Sequence, residues 1–251
     1  MRVAILGGGP SAAYAFQAAS EEKCDIDVFA TDLRMEVSGA FWLRWLPASM
    51  SDHSQQFPIH ITSVGDSLGY VGKQWGDDTL ASSFSYQYFM EFAFEPYFVL
   101  GSLWQNLHAI KARTFTSAEE IIRLAKSYDI VFKSFLLQEE ITSNMCKGLV
   151  YIPVLLKKCQ SEFNLVLYNG LRDDPVVRMS MLFGKLSVEY AFWYNSKEEL
   201  STFLDLHPTI PVELLTFPTN VFSIGRLATG NRKLLAHEVY TKVKEVIRNG
   251  Q

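Results

Sequence analysis

The chain has 251 residues, of which 48% are hydrophobic and 20% charged, and its formal net charge is −4. This composition excludes a disordered polymer and supports a core large enough for one domain, or one domain with a small insertion. The acidic balance gives no global attraction to nucleic acid, so any DNA contact needs a local basic patch.

Val3 to Leu6 reads as a buried strand. Gly7-Gly8-Gly9-Pro10-Ser11-Ala12 follows it, and the small residues from Ala13 to Ala19 read as a helix. Strand, glycine turn and helix come in the order a dinucleotide site needs; the alternative is a plain βα turn of an α/β fold with no ligand. The glycines let the backbone approach a pyrophosphate, and the helix N-terminus offers N–H groups and a positive dipole end. Gly7, Gly9, Pro10, Ser11 and Ala12 are the candidate cofactor residues. A second strand, Ile26 to Ala30, arrives where a βαβ unit places it. A carboxylate at the end of that strand takes the adenosine ribose in such units. Here the place falls on Ala30, with Thr31 and Asp32 as nearby substitutes. The loss weakens NAD more than FAD, which is held along its whole length.

Further strands are expected at Ile59 to Thr62, Ile130 to Lys133, Leu165 to Tyr168, Val188 to Tyr194 and Val221 to Ile224. Helices are expected from Ser117, as N-cap, to Ser127, and from Asn231 to the end. The aromatic-rich segment 63–112 lacks clean periodicity and reads as a short insertion over the cofactor, within a single domain spanning 1–251. Phe89 to Trp104 is apolar but carries Glu91, Glu95 and Pro96, so no membrane span is expected. The first apolar run is only a strand long, so no signal peptide is expected. Cys24, Cys146 and Cys159 have no metal spacing and fit a reducing cytoplasm; no metal site is expected.

A second cofactor signature lies at Asn220-Val-Phe-Ser-Ile-Gly225-Arg226-Leu227-Ala-Thr-Gly230. A glycine lets the returning chain pass phosphate groups, an arginine neutralises a pyrophosphate, and a helix start favours negative charge. A glycine turn at residue 7 paired with a Gly-Arg turn at residue 225 is an FAD arrangement.

The Gly225-Arg226-Leu227 spelling resembles UDP-galactopyranose mutase. Pro58-Ile59-His60-Ile61-Thr62-Ser63 is similar to that family's Pro-His-Ile-Phe-His-Thr run, whose first histidine lies by the flavin. Tyr168-Asn169-Gly170-Leu171-Arg172-Asp173 resembles its Tyr-Thr-Gly-Pro-Ile-Asp, and Phe183-Gly184-Lys185-Leu186 its Phe-Gly-Lys-Leu. Ser38-Gly39-Ala40 takes the place of its Gly-Gly-Asn. The stretch from His60 to Tyr168 is too short for that family's helical substrate domain. The Tyr-Asn-Gly run, the Ile-Gly-Arg turn and Trp42 to Pro47 also resemble small phage-encoded flavoproteins. That resemblance implies a Rossmann-like α/β FAD-binding fold with a reduced substrate domain. It implies FAD as cofactor and a flavoenzyme that oxidises or cleaves the C–N bond of an amino-acid-modified thymidine, in phage DNA or as a nucleotide, in the host cytoplasm. A sugar mutase and a non-catalytic flavin- or nucleotide-binding protein are the alternatives.

His60, between Ile59 and Ile61, leaves its strand on the opposite face from both. Its imidazole suits a hydrogen bond to a flavin or proton transfer from a substrate amine, and equally a structural role. Arg44, among Trp42 and Trp45, suits phosphate or carboxylate recognition or ring stacking, and equally a core strand with one snorkelling arginine. Tyr168, Asn169 and Arg172 end a strand, where Asn169 can read a base or flavin edge or simply cap a turn. Lys157, Lys158, Arg172 and Arg178 can form a basic patch. Trp75, Phe84, Tyr86, Tyr88 and Phe89 leave a substrate wall, core packing and a homo-oligomer interface open.

Overall fold

The computed structural model describes residues 1–30, 40–51, 54–75, 88–105, 110–142, 149–195, 200–206, 215–231 and 234–250. In chain order, β1 (Arg2–Leu6), α1 (Pro10–Glu21) and β2 (Asp25–Phe29) come first, then α2 (Ala48–Ser51), β3 (Phe57–Gly65), α3 (Ser67–Trp75) and β4 (Phe89–Ala93). The middle holds α4 (Tyr97–Trp104), β5 (Ile110–Lys111), α5 (Ala118–Ala125), β6 (Ile130–Lys133) and α6 (Gln138–Thr142). Strands β7 (Leu149–Lys158), β8 (Asn164–Gly170), β9 (Val176–Leu182), β10 (Lys185–Tyr190) and β11 (Ser201–Leu206) follow. The chain closes with β12 (Val221–Ser223), α7 (Gly225–Thr229) and α8 (Glu238–Asn249).

Two compact units result: residues 1–35, 97–148 and 210–251, and residues 36–96 with 149–209. The segment 63–112 is divided between them.

The first unit is built on a sheet in the order β12-β6-β1-β2-β5, with every pairing parallel. Strands buried on both faces need continuous apolar runs, and Val3, Ala4, Ile5 and Leu6 are all fully buried. In α1, Ala12, Ala13, Ala15, Ala18 and Ala19 are buried. Their small side chains let the helix lie close to its neighbours. In α5, Glu120 reaches back to the N–H of Ser117 at 3.3 Å and of Thr116 at 2.7 Å, the capping expected from Ser117 followed by two glutamates.

The second unit is a mixed sheet in the order β11-β7-β10-β9-β8-β3-β4. Only β3 and β8 run parallel; the other pairs are antiparallel. Ile59, Ile61, Ala93, Val166 and Leu182 form its core cluster. Phe183 and Gly184 both have positive φ, 52° and 73°. That is the two-residue hairpin turn whose twist matches the strands. The turn fixes β10 to start at Lys185, earlier than the expected Val188, and the strand ends at Tyr190. The expected terminal helix also starts later, at Glu238: Gly230 closes α7 in a left-handed conformation, and Glu238 takes the N–H of Leu235 at 2.6 Å. No described helix is long and apolar enough to cross a membrane.

Lys73, at the end of α3, is 3% exposed and donates to the Val176 carbonyl at 2.6 Å. Burial pushes its ammonium down to about 8, against the pull of Asp174. In the unfolded chain the amine titrates near 10.5. The unfolded state therefore holds the extra proton between those values, and the Lys73 contribution to stability rises with pH across that window. Lys73→Met removes this dependence. Urea-unfolding midpoints measured from pH 7 to pH 10 should show the variant gaining most on the wild type below about 8, with the difference shrinking as pH rises.

Candidate functional site

The topology of the first unit locates a binding edge. The chain leaves β1 toward β2 and β5, then returns on the other side to form β6 and β12. Ligands of open α/β sheets sit beyond the carboxyl ends of the strands at such a switch point. Gly7 follows β1 at this edge, and Ser134 follows β6.

Gly7 has φ +117°, and a Cβ there would overlap the Ser134 hydroxyl. The hydroxyl donates to the Leu6 carbonyl at 2.8 Å, and the Ser134 N–H donates to the same carbonyl at 3.0 Å. Gly9 differs: it is the N-cap of α1, and a Cβ there would meet nothing within 4 Å. Open space at Gly9 is what a backbone cradle for a pyrophosphate requires. Pro10 opens the helix without wasting an N–H, and the N–H groups of Ser11 and Ala12 lie in the first turn, which has no intrahelical acceptor.

The second turn meets the first. Gly225 has φ +78°, and a Cβ there would collide with the Ser11 side chain. The Ile224 N–H just before it donates to the Lys133 carbonyl at 2.8 Å. Gly7, Gly9, Pro10, Ser11, Ala12 and Gly225 are thus one constellation. Arg226 is exposed at the start of α7 and Leu227 is half-buried. Ala30, at the end of β2, is buried. Asp32 and Gly39 lie outside the described residues, as do Thr31, Phe84, Tyr86 and Cys146.

The second unit carries the candidate catalytic groups, and its sheet separates them. His60 pairs with Met90 of β4 and Leu165 of β8, with its side chain opposite to Ile59 and Ile61, as expected. Its Nδ1 is 2.6 Å from the Tyr88 hydroxyl, and the two rings stack at 6.0 Å. Arg44 lies on the Ile59 side. Its Nε donates to Glu91 at 3.2 Å, and Glu91 also accepts the Trp42 indole N–H. The Arg44 guanidinium sits 5.8 Å from the Trp42 ring. Half of its side chain is exposed.

Tyr168 shares that face through its pairing with Arg178. Arg178 makes a double contact with Glu189, both bonds at 2.7 Å, and lies 5.6 Å over the Tyr168 ring. Burial opposes its charge, but Glu189, Tyr70 and Tyr168 more than offset this and hold the guanidinium above its usual range. Arg178 is thus engaged by Glu189 and Tyr168; by register Lys158 lies on the same face of the sheet, farther along β7, and Lys157 on the other. The sequence reading missed this pair. A signal existed: counting outward from the Phe183-Gly184 turn sets Arg178 opposite Glu189.

Asn169 is buried. Its side chain donates to Asp174 at 2.7 Å and accepts the Leu171 N–H at 2.9 Å. These bonds shape the turn after β8. Tyr168 and Asn169 also end a strand of the mixed sheet, where the switch-point rule for parallel sheets has no force.

No protein-family model matches the chain, and no curated protein matches its sequence. Solved structures match its fold. The peptidyl tryptophan dihydroxylase QhpG superposes with a TM-score of 0.51 at 8% identity, over 99% of this chain and 65% of its own. The chain thus spans just under two thirds of that enzyme's length. The flavin-dependent brominase Bmp2 gives 0.51 at 9% identity, over 100% of this chain and 78% of its own. The 2,6-dihydroxypyridine-3-hydroxylase from Arthrobacter nicotinovorans gives 0.52 at 9% identity, over 99% and 82%. The parallel sheet and glycine turns of this chain form a Rossmann-like FAD-binding fold of this kind.

Gly225→Ala should cost on the order of 1–3 kcal/mol, because alanine must take a left-handed conformation and its methyl meets Ser11. A lowered Tm checks this. Adding Ser11→Gly, which removes the obstructing group, should recover part of the loss.

Proposed function

We propose that the protein is an FAD-dependent oxidoreductase acting on a planar, amine-bearing substrate. The observation that carries the cofactor reading is the closure of the Gly225 turn on Ser11, while Gly9 is left open. Two glycine turns at one switch point fit a long dinucleotide better than a single phosphate. Ser11 and Ala12 would hold the pyrophosphate by backbone N–H groups, and Arg226 would add a charge-assisted contact. FAD, when bound, supplies a two-electron acceptor for a hydride leaving a substrate carbon.

The finer reading follows the resemblance to phage flavoproteins and names an amino-acid-modified thymidine, in DNA or as a nucleotide. Support for a planar ring is general: relatives in fold are named for tryptophan and dihydroxypyridine. In this reading His60 takes a proton from the ammonium form of the substrate amine, so that the freed lone pair assists hydride loss. Water then splits the resulting C=N bond, giving an aldehyde and an aminomethyl pyrimidine. Arg44, which reaches Glu91 on the face of the sheet opposite His60, takes no part in this step.

Purified protein should carry non-covalent FAD, released on denaturation. A colourless protein that takes up no added FAD would end the cofactor reading. Arg226→Ala should weaken FAD retention by roughly 10- to 100-fold, as expected for a lost charge-assisted contact. Fluorescence titration of the apoprotein measures this.

His60→Ala should keep FAD and lose about 10²- to 10⁴-fold in turnover. The wild-type rate should fall at low pH, as the amine becomes an ammonium without a lone pair. Nucleoside mass spectrometry of modified DNA, incubated with and without enzyme, tests the substrate. Unchanged adducts alongside a reducible flavin would remove thymidine and leave the oxidoreductase.

A further inference from the structure

Lys133 and Glu140 are both fully buried. The Lys133 ammonium contacts both carboxylate oxygens, at 2.8 and 3.1 Å, and lies 5.0 Å over the Phe217 ring. Glu140 also accepts the Leu137 N–H at 2.7 Å. A buried charge pair is costly to form and is weak support for stability in itself. Its position is the telling fact. The segment it ties down, residues 133–140, carries the two atoms on which the glycine turns rest. The Ser134 hydroxyl lies beneath Gly7, and the Lys133 carbonyl receives the N–H of Ile224, next to Gly225.

We propose that the Lys133–Glu140 pair is a cofactor-positioning device. The Glu140 acceptor fixes the backbone at Leu137, Lys133 balances the charge of that buried carboxylate, and the segment between them holds both turns at their spacing before FAD arrives. The pair does not touch the cofactor; it acts through Ser134 and through the Lys133 carbonyl. The inference rests on the reading that these turns bind FAD.

Two double variants separate this role from plain packing. Lys133→Met with Glu140→Gln removes the charges but keeps an acceptor for the Leu137 N–H. Lys133→Met with Glu140→Leu fills the space with apolar atoms and removes the acceptor. The FAD dissociation constant and the Tm of the apoprotein are measured for each. The first variant should stay within about threefold of wild type in FAD affinity, even if its Tm falls, since a neutral acceptor keeps the clamp. The second should lose about tenfold or more, even if its Tm is the higher. Affinities that simply follow Tm, or that are equal in the two variants, would overturn the proposal.

Amide hydrogen exchange on the wild-type apoprotein gives a test that needs no variant. The amides of Ser134, Leu137 and Ile224 should be protected without FAD. Exchange at loop rates until FAD is added would show that the turns are not preformed, and would equally overturn it. Wild type that binds no FAD at all would instead refute the cofactor reading on which the proposal stands.

Discussion

The close approach of backbone at the carboxyl edge of the parallel sheet is the constraint on which the first unit depends. The chain must pass β1 to α1 and β12 to α7 within a small space, and side chains would fill it. Gly7 and Gly225 yield that space because each has a positive φ and no Cβ. What takes the space is also specific: the Ser134 hydroxyl under Gly7 and the Ser11 side chain beside Gly225. Gly9 is left open, and openness there is what turns a tight corner into a cradle.

In the second unit the corresponding constraint is the alternation of side chains along β3. His60 is displayed on one face, while Ile59 and Ile61 are committed to the core cluster on the other. Glu91, Tyr168, Arg178 and Glu189 fall on the core side by register. Arg44 follows Glu91 to that side. A sheet residue cannot change face without a one-residue slip that would expose the isoleucines. His60 with Tyr88, and Arg44 with Glu91, are therefore two separate polar groups. A substrate that meets one across the sheet does not meet the other.

Several matched motifs have a structural reason of their own. Phe183-Gly184 is a hairpin turn whose positive φ values set the register of β9 and β10. Gly170, in the Tyr168-Asn169-Gly170 run, presses its backbone against Asp66, where a Cβ would collide. Asn169 ties the following turn to Asp174. Short runs of this kind recur wherever a fold needs the same corner, so likeness in these islands reports geometry before chemistry.

The sequence by itself determined the local grammar of the first unit. An apolar run, a glycine turn, an alanine-rich helix and a second apolar run define a βαβ start, because burial and backbone freedom are properties of neighbouring residues. The same held for Ser117 and Glu120 at α5, and for the alternation that sets His60 apart from its flanking isoleucines. Pairings between distant segments were decided only by the tertiary structure. Nothing local says that Gly225 closes on Ser11, that Ser134 lies under Gly7, or that Lys133 finds Glu140 in the buried interior. The second sheet was legible only in pieces for the same reason. Its strand order joins β3 to β8 across about a hundred residues of chain, and such partners are chosen by shared burial and register, which no single segment contains.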